Sequence, residues 1–180
     1  MRTEAAVARS SPETATSRRV LVVGVGHPFL RDLSIGPVLV TELSRLDWPA
    51  GVEVDDWSFN PIAIVQRLEA LADPYDRIVV LSAVERGRVP GQVTRYRWSG
   101  DLPDAAEIQQ RVGEAVMGII NLDNLLIVGQ HFGAFPPDVV VVEVEPDDTG
   151  WGDGFTPRIE AALPEVIATV RRAAMDGDDG

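Results

Sequence analysis

The stretch from Val20 to Pro37, VLVVGVGHPFLRDLSIGP, decides the fold. It begins with an apolar run rich in Val, which is typical of a strand buried on both faces of a sheet. The run ends in Gly24 and Gly26 and leads into a helical pattern that starts at Ile35. A buried strand that turns through glycines into a helix predicts the first unit of an α/β sheet.

The glycine turn fits a nucleotide-binding loop poorly. The dinucleotide fingerprint needs a third Gly three residues after the second, where this chain has Phe29. No acid stands cleanly in the ribose-binding position, although Asp55 and Asp56 come close. A Gly-Lys-Ser/Thr phosphate loop occurs nowhere in the chain. The sequence therefore gives only weak support for a nucleotide site.

Apolar runs alternate with helical patterns along the rest of the chain. The helical stretch 104–132 contains Gly118, which predicts two helices or one helix broken there. The alternating segment 91–98 predicts a strand at or near a sheet edge. The other predicted elements are strands at 19–25, 51–59, 76–84 and 138–146 and helices at 35–46, 61–73 and 155–174. The predicted fold class is α/β, a single three-layer domain with a twisted, mainly parallel sheet between helices.

Composition excludes several classes of function. The 180 residues carry a formal net charge of −12, which disfavours nucleic acid and anionic membranes as partners. The chain contains no Cys, so disulfides, zinc–thiolate sites and Cys nucleophiles are excluded, and a cytoplasmic location fits. The N-terminal residues lack the apolar segment of a secretory signal, and we expect residues 1–18 to form a disordered lead.

The turn matches a longer pattern, Gly-x-Gly-x-Pro-x-Leu-x-Asp-x-x-x-Gly, from Gly24 to Gly36. This pattern resembles the signature of the [NiFe]-hydrogenase maturation endopeptidases (peptidase M52-like). Three later segments resemble the family's "Asp-Ala-Val…Pro-Gly-Thr", "Pro-x-x-Val-x-Leu-x-Gly-x-x-Pro" and "Gly-Leu-Thr-x-x-Val-x-x-Ala" motifs in the same order. They are SAVERGRVPGQ (82–92), FPPDVVVVEVEP (135–146) and GFTPRIEAALPEVI (154–167). The resemblance implies the family's phosphorylase/hydrolase-like fold over residues 19–173, followed by an acidic tail at 174–180.

The resemblance also implies where a metal would be held. Family members use a carboxylate, an aspartate and a histidine to grip the nickel of an immature large subunit, and these are suitable nickel ligands. The corresponding positions here are Leu33, Ser82 and Gly118, or Met117 under a different alignment of the last loop. Leu and Gly offer no donor and Ser is a poor neutral ligand. All three positions are therefore degenerate, and we expect neither a resident metal nor a cofactor.

A residual site could be built from other side chains. His27 replaces the family's Asn, Asp32 matches a position that is not itself the usual ligand, and Asp56 matches an acid after the second strand. Ordinary alternatives exist for each: a local hydrogen bond for His27, a helix-capping or turn carboxylate for Asp32, and a loop acid for Asp56. Ser82 lacks the Gly-x-Ser-x-Gly turn of a nucleophile, so no catalytic residue is assigned.

Three functions remain open at this point. The first is a degenerate, non-proteolytic assembly factor or chaperone that binds a hydrogenase large subunit or a related protein. The second is an active nickel-dependent endopeptidase that uses relocated ligands and clips the C-terminus of the large subunit. The third is a regulatory or small-molecule-binding module on the same fold. The sequence does not determine the oligomeric state.

Overall fold

The computed structural model describes residues 18–176. Of the predicted N-terminal lead only Arg18 is described, and of the predicted tail only residues 174–176. The elements, in chain order, are β1 (Val20–Val25), α1 (Ile35–Leu43), β2 (Val52–Asp56), α2 (Pro61–Glu69), β3 (Arg77–Ala83), β4 (Val93–Arg97), α3 (Ala105–Val116), α4 (Leu122–His131), β5 (Val139–Val144) and α5 (Pro157–Met175). A 3-10 turn at Arg31–Ser34 precedes α1. Within residues 18–176, no helix has both the length and the apolar character needed to cross a membrane.

The five strands form one sheet in the order β2-β1-β3-β5-β4. Four of them are parallel, and β4 is antiparallel to β5 at one edge. The predicted mainly parallel sheet and the predicted edge strand are both confirmed. The chain leaves β1 towards β2 on one side and returns to β3 on the other, so the direction of winding reverses between β1 and β3.

Helices cover both faces of the sheet, which confirms the three-layer prediction. Side chains of α1 and α5 pack on one face, around Leu39 and Val166. Side chains of α2 and α4 pack on the other, around Ile64 and Leu125. The central strands bury residues towards both layers, and every residue of β1, β3 and β5 is buried. This two-sided burial explains why these strands are almost uninterrupted apolar runs in the sequence.

The break near Gly118 is also confirmed. Helix α3 ends at Val116, and Gly118 adopts a left-handed conformation with φ of 83°. Helix α4 then begins at Leu122, where the side chain of Asn121 accepts a hydrogen bond from the backbone N–H of Asn124 at 2.8 Å. The positive φ is a conformation that glycine adopts at little cost, so Gly118 ends the first helical pattern within the five residues that separate α3 from α4.

The packing of α1 on β1 requires glycine on both sides. A Cβ atom added to Gly36 would lie 2.3 Å from the carbonyl oxygen of Val25. A Cβ atom added to Gly24 would lie 2.2 Å from the carbonyl oxygen of Gly36. The two backbones are therefore in direct contact, and the glycines of the opening stretch are needed for packing.

This contact predicts a large stability difference between two Gly-to-Ala substitutions. Gly36→Ala should lower the free energy of unfolding by about 2 kcal/mol or more, because neither backbone can move away without disturbing the sheet. Gly113→Ala, on the exposed face of α3 where an added Cβ meets nothing within 4 Å, should raise it by about 0.5–1 kcal/mol. Urea unfolding followed by circular dichroism measures both. Equal midpoints for Gly36→Ala and wild type would contradict the contact.

Candidate functional site

A cavity of about 290 Å³ lies at the carboxyl ends of β1 and β3. The winding of the sheet reverses at this point, and such a reversal leaves a crevice where α/β proteins bind ligands. Its wall includes the turn after β1, the loop after β3 and the first turn of α4. The side chains that matter for its chemistry are those of His27, Leu33, Ser82, Glu85, Arg86, Arg111 and Asp123.

The structure brings together two of the three positions assigned as degenerate metal ligands. Leu33 and Ser82 both line the cavity, whereas Gly118 is not part of its wall. Leu33 contributes hydrocarbon. The Ser82 hydroxyl is buried, and its hydrogen-bond partner is the carbonyl oxygen of the next residue in the same strand, at 3.5 Å. Among the described residues, no hydrogen bond joins Ser82 to His27, so the pair has no nucleophile–base geometry.

The proposed residual site of His27, Asp32 and Asp56 is not assembled. His27 lines the cavity, but Asp32 and Asp56 do not. Asp56 is the last residue of β2, and its carboxylate accepts a hydrogen bond from the backbone N–H of Ser58 at 2.9 Å, at the start of the following loop. Across residues 18–176, no group of three or more His, Asp or Glu side chains could hold a metal ion. The described part of the chain thus offers no relocated ligand set.

Asp32 is a buried structural carboxylate. Its side chain is fully buried and accepts four hydrogen bonds of 2.8–2.9 Å from the connection between β5 and α5. The donors are the backbone N–H groups of Asp147, Asp148 and Thr156 and the hydroxyl of Thr156. The prediction of a carboxylate that fixes a loop describes this role, although the loop lies more than a hundred residues away in the chain.

An ionic cluster beside the cavity was not predicted. Glu143 is the penultimate residue of β5 and is only 1% exposed. Its carboxylate accepts hydrogen bonds from the guanidinium groups of Arg86 and Arg88, at 3.0 and 2.8 Å, and from the hydroxyl of Tyr96 at 2.9 Å. A charge buried inside a sheet is tolerated only when it is paired and hydrogen-bonded in this way. The sequence signal for this cluster is the single Glu within the Val-rich strand, since a buried carboxylate requires charged or hydrogen-bonding partners.

Arg86 connects the cavity wall to the central sheet. Its guanidinium binds both carboxylate oxygens of Asp123 on α4, at 2.9 and 2.5 Å, as well as Glu143 on β5. The backbone N–H of Arg86 also donates to the carboxylate of Glu145 at 2.9 Å. Bidentate guanidinium–carboxylate pairs fix orientation as well as charge. The loop after β3 is therefore tied to α4 and to β5 through one side chain.

The cluster shifts the pKa values of its members. Burial opposes the ionisation of Glu143, but hydrogen bonds from Arg86, Arg88 and Tyr96 outweigh it and hold the pKa of this carboxyl below its usual 4.5. The hydrogen bonds to Asp123, and then to Glu143, raise the pKa of Arg86. Burial and the hydrogen bond to Glu143 raise the pKa of Tyr96. The cluster is thus charged at neutral pH, and its phenol is protonated.

The chain is similar in sequence and in fold to hydrogenase maturation proteases over most of its length. No family model matches the chain. The chain is 28% identical over 163 residues to the hydrogenase 2 maturation protease of Escherichia coli (strain K12), covering 88% of this chain and 94% of that protein. The crystal structure of a hydrogenase 2 maturation peptidase from Thaumarchaeota archaeon SCGC_AB-539-E09 shares 25% identity, with a TM-score of 0.60 and coverage of 87% and 97%. An endopeptidase from Escherichia coli shares 26% identity, with a TM-score of 0.62 and coverage of 86% and 91%.

The lowered pKa of Glu143 predicts a specific dependence of stability on pH. Since the folded chain holds this proton less tightly than the unfolded chain does, the stabilisation is present above the ordinary carboxyl pKa of 4.5. It is lost as the pH falls through the folded-state value. Glu143→Gln should lower the free energy of unfolding at pH 7 by about 1–3 kcal/mol and flatten its slope between about pH 5 and pH 3.

The control for this experiment is Glu42→Gln, because Glu42 is exposed on α1. Urea unfolding at several pH values compares both variants with wild type. We expect Glu42→Gln to follow the wild-type curve within about 0.5 kcal/mol. If Glu143→Gln retains the full wild-type slope, the ionised Glu143 does not stabilise the fold.

Proposed function

Because this chain belongs to the family of hydrogenase maturation endopeptidases, we propose that it acts in [NiFe]-hydrogenase maturation by binding a large subunit without cleaving it. In this role it is an assembly factor or chaperone that presents the family's cavity to the partner. The observation that carries the proposal is the make-up of the cavity wall. Leu33, Ser82 and the paired guanidinium of Arg86 line the place where metal donors would be needed.

The residues present do not fit a nickel ion. A divalent transition metal in such a site needs imidazole, carboxylate or thiolate donors. The hydrocarbon of Leu33 supplies none, and the neutral Ser82 hydroxyl is a poor ligand. The wall's His27, Glu85 and Asp123 carry donor atoms, but no group of three His, Asp or Glu side chains among residues 18–176 could hold a metal ion. The guanidinium of Arg86 binds both carboxylate oxygens of Asp123, so a metal at this carboxylate would have to displace a bidentate ion pair. No step of the proposed function therefore passes through a metal in this cavity.

The competing idea of an active endopeptidase with relocated ligands faces a cost at Asp32. To bind a metal, this carboxylate would have to give up four hydrogen bonds and release the connection before α5. A buried donor that loses its partner costs about 1–3 kcal/mol, and three backbone N–H groups would be affected. The cavity wall itself offers His27, Glu85 and Asp123, but Asp123 is already bound by the guanidinium of Arg86. This cost favours the binding function over the protease.

The proposed function predicts a partner of unchanged mass. A tagged form of the chain, expressed in its native host, should co-purify with a hydrogenase large subunit whose intact mass matches its full gene-encoded sequence. Deleting the gene should leave that mass unchanged while reducing the yield of assembled hydrogenase. A large subunit that is shortened at its C-terminus only when this chain is present would identify a protease instead.

Metal titration tests the cavity directly. We expect isothermal titration of the purified chain with Ni²⁺ and with Zn²⁺ to show no stoichiometric site, because no three His, Asp or Glu side chains of residues 18–176 are grouped to hold a metal ion. His27→Ala should give the same titration curve, since His27 is not part of a group of three potential ligands among the described residues. Stoichiometric binding that disappears in His27→Ala would restore the relocated-ligand hypothesis.

A further inference from the structure

Two large aromatic side chains are exposed beside the cavity. Trp151 is 82% exposed and Phe29 is 63% exposed. Phe29 lies in the turn after β1, between His27 and Leu33, which both line the cavity. Trp151 lies in the connection between β5 and α5. Side chains of this size are usually buried at least in part, and aromatic residues are enriched at the centres of protein interfaces.

The backbone holds these two aromatic residues next to each other. The carbonyl oxygen of Phe29 accepts a hydrogen bond from the N–H of Gly152 at 2.9 Å, and the N–H of Arg31 donates to the carbonyl oxygen of Gly152 at 3.1 Å. This is a parallel bridge between Leu30 and Gly152. Phe29 and Trp151 each precede one of the bridged residues, so their backbones are neighbours. We call Phe29 and Trp151 the aromatic pair.

The aromatic pair is rigidly presented. The four hydrogen bonds to buried Asp32 fix the connection that carries Trp151, and an ion pair between Arg31 and Asp148 at 3.1 Å joins the two turns again. Phe29 has a positive φ of 65°, which costs a bulky L-residue about 1 kcal/mol or more. The fold thus bears local strain while an aromatic ring stays in solvent. Such pre-organisation reduces the entropy that a docking surface loses on binding.

The charges around the aromatic pair indicate the chemistry of its partner. Asp147, Asp148 and Asp153 flank Trp151, and the whole chain carries a net charge of −12. Arg31 and Arg158 pair with Asp148 and Asp147, so these three aspartates and two arginines leave a local net charge of −1. An apolar segment flanked by Lys or Arg would cover the rings and meet this acidic surround, and electrostatic complementarity of this kind favours the correct partner.

We propose that Phe29 and Trp151 form the docking surface for a basic-flanked apolar segment of the hydrogenase large subunit, an inference that rests on the proposed function. The partner's segment packs on the two rings, while the adjacent cavity faces the rest of the bound protein. Recognition then depends on apolar burial and charge, and needs no metal in the cavity.

Binding of the purified large-subunit precursor from the same organism tests this surface. Trp151→Ala and Phe29→Ala should each weaken its affinity at least tenfold, measured by biolayer interferometry. For the wild-type chain, raising the salt concentration from about 50 to about 500 mM should also weaken binding, because salt screens the attraction between the aspartates around Trp151 and the basic residues of the partner. Trp151 makes little contact with its own fold, so Trp151→Ala should unfold at the wild-type urea concentration.

Phe132→Ala is the matched control. Phe132 is an aromatic residue, 44% exposed, that follows the end of α4 and lies outside the cavity wall, and its loss should change affinity less than twofold. If the wild-type chain binds the precursor and both aromatic-pair variants bind equally well, the docking surface is wrong while the proposed function stands. If the wild-type chain does not bind the precursor, the proposed function fails and the docking surface fails with it. A wild-type dimer in light scattering that Trp151→Ala converts to monomer would assign the surface to a second copy of the chain.

Discussion

The contact between β1 and α1 positions everything at the carboxyl edge of the sheet. Gly24 and Gly36 bring two backbones together with no room for a Cβ atom, so the chain must turn within the nine residues that separate β1 from α1. That short turn passes through two residues with positive φ, Phe29 and Arg31. Because α1 is anchored to β1 so closely, the turn has little freedom, and Leu33 is directed into the cavity wall.

Asp32 links the turn after β1 to the connection between β5 and α5, near the other end of the chain. It is the one carboxylate in the turn, and it gathers donors from Asp147, Asp148 and Thr156. Helix α5 begins directly after Thr156, so the start of the last helix is set by a side chain of the first turn. A carboxylate that accepts several backbone N–H bonds orients a loop more firmly than contacts between exposed side chains do. The first and last loops of the domain therefore behave as one unit.

Sequence patterns predicted the elements because each is decided locally. The Val run at 139–144 indicates a strand, and Gly118 separates two helical periods. The cluster around Glu143 was missed because its members come from three distant segments, and no local pattern pairs Arg86 with Asp123. In the family motif that this segment resembles, the position of Glu143 is a Gly. A Glu in place of this Gly, within a strand predicted to be buried, indicates that the carboxylate needs cationic partners from elsewhere in the chain.

The ion pairs of Arg86 hold together chain segments that a metal ion could otherwise have held at this edge of the sheet. A metal ion holds separate chain segments at fixed distances, and removing it leaves those segments without a common tie. Here Arg86, in the loop after β3, forms ion pairs with Asp123 on α4 and Glu143 on β5 and so holds the three segments together. Burying Glu143 alone would cost several kcal/mol, so its retention requires that Arg86 and Arg88 stay in place. Ion pairs within the chain therefore hold the loop after β3, α4 and β5 together beside the cavity, which is the fixed shape that the proposed binding function requires.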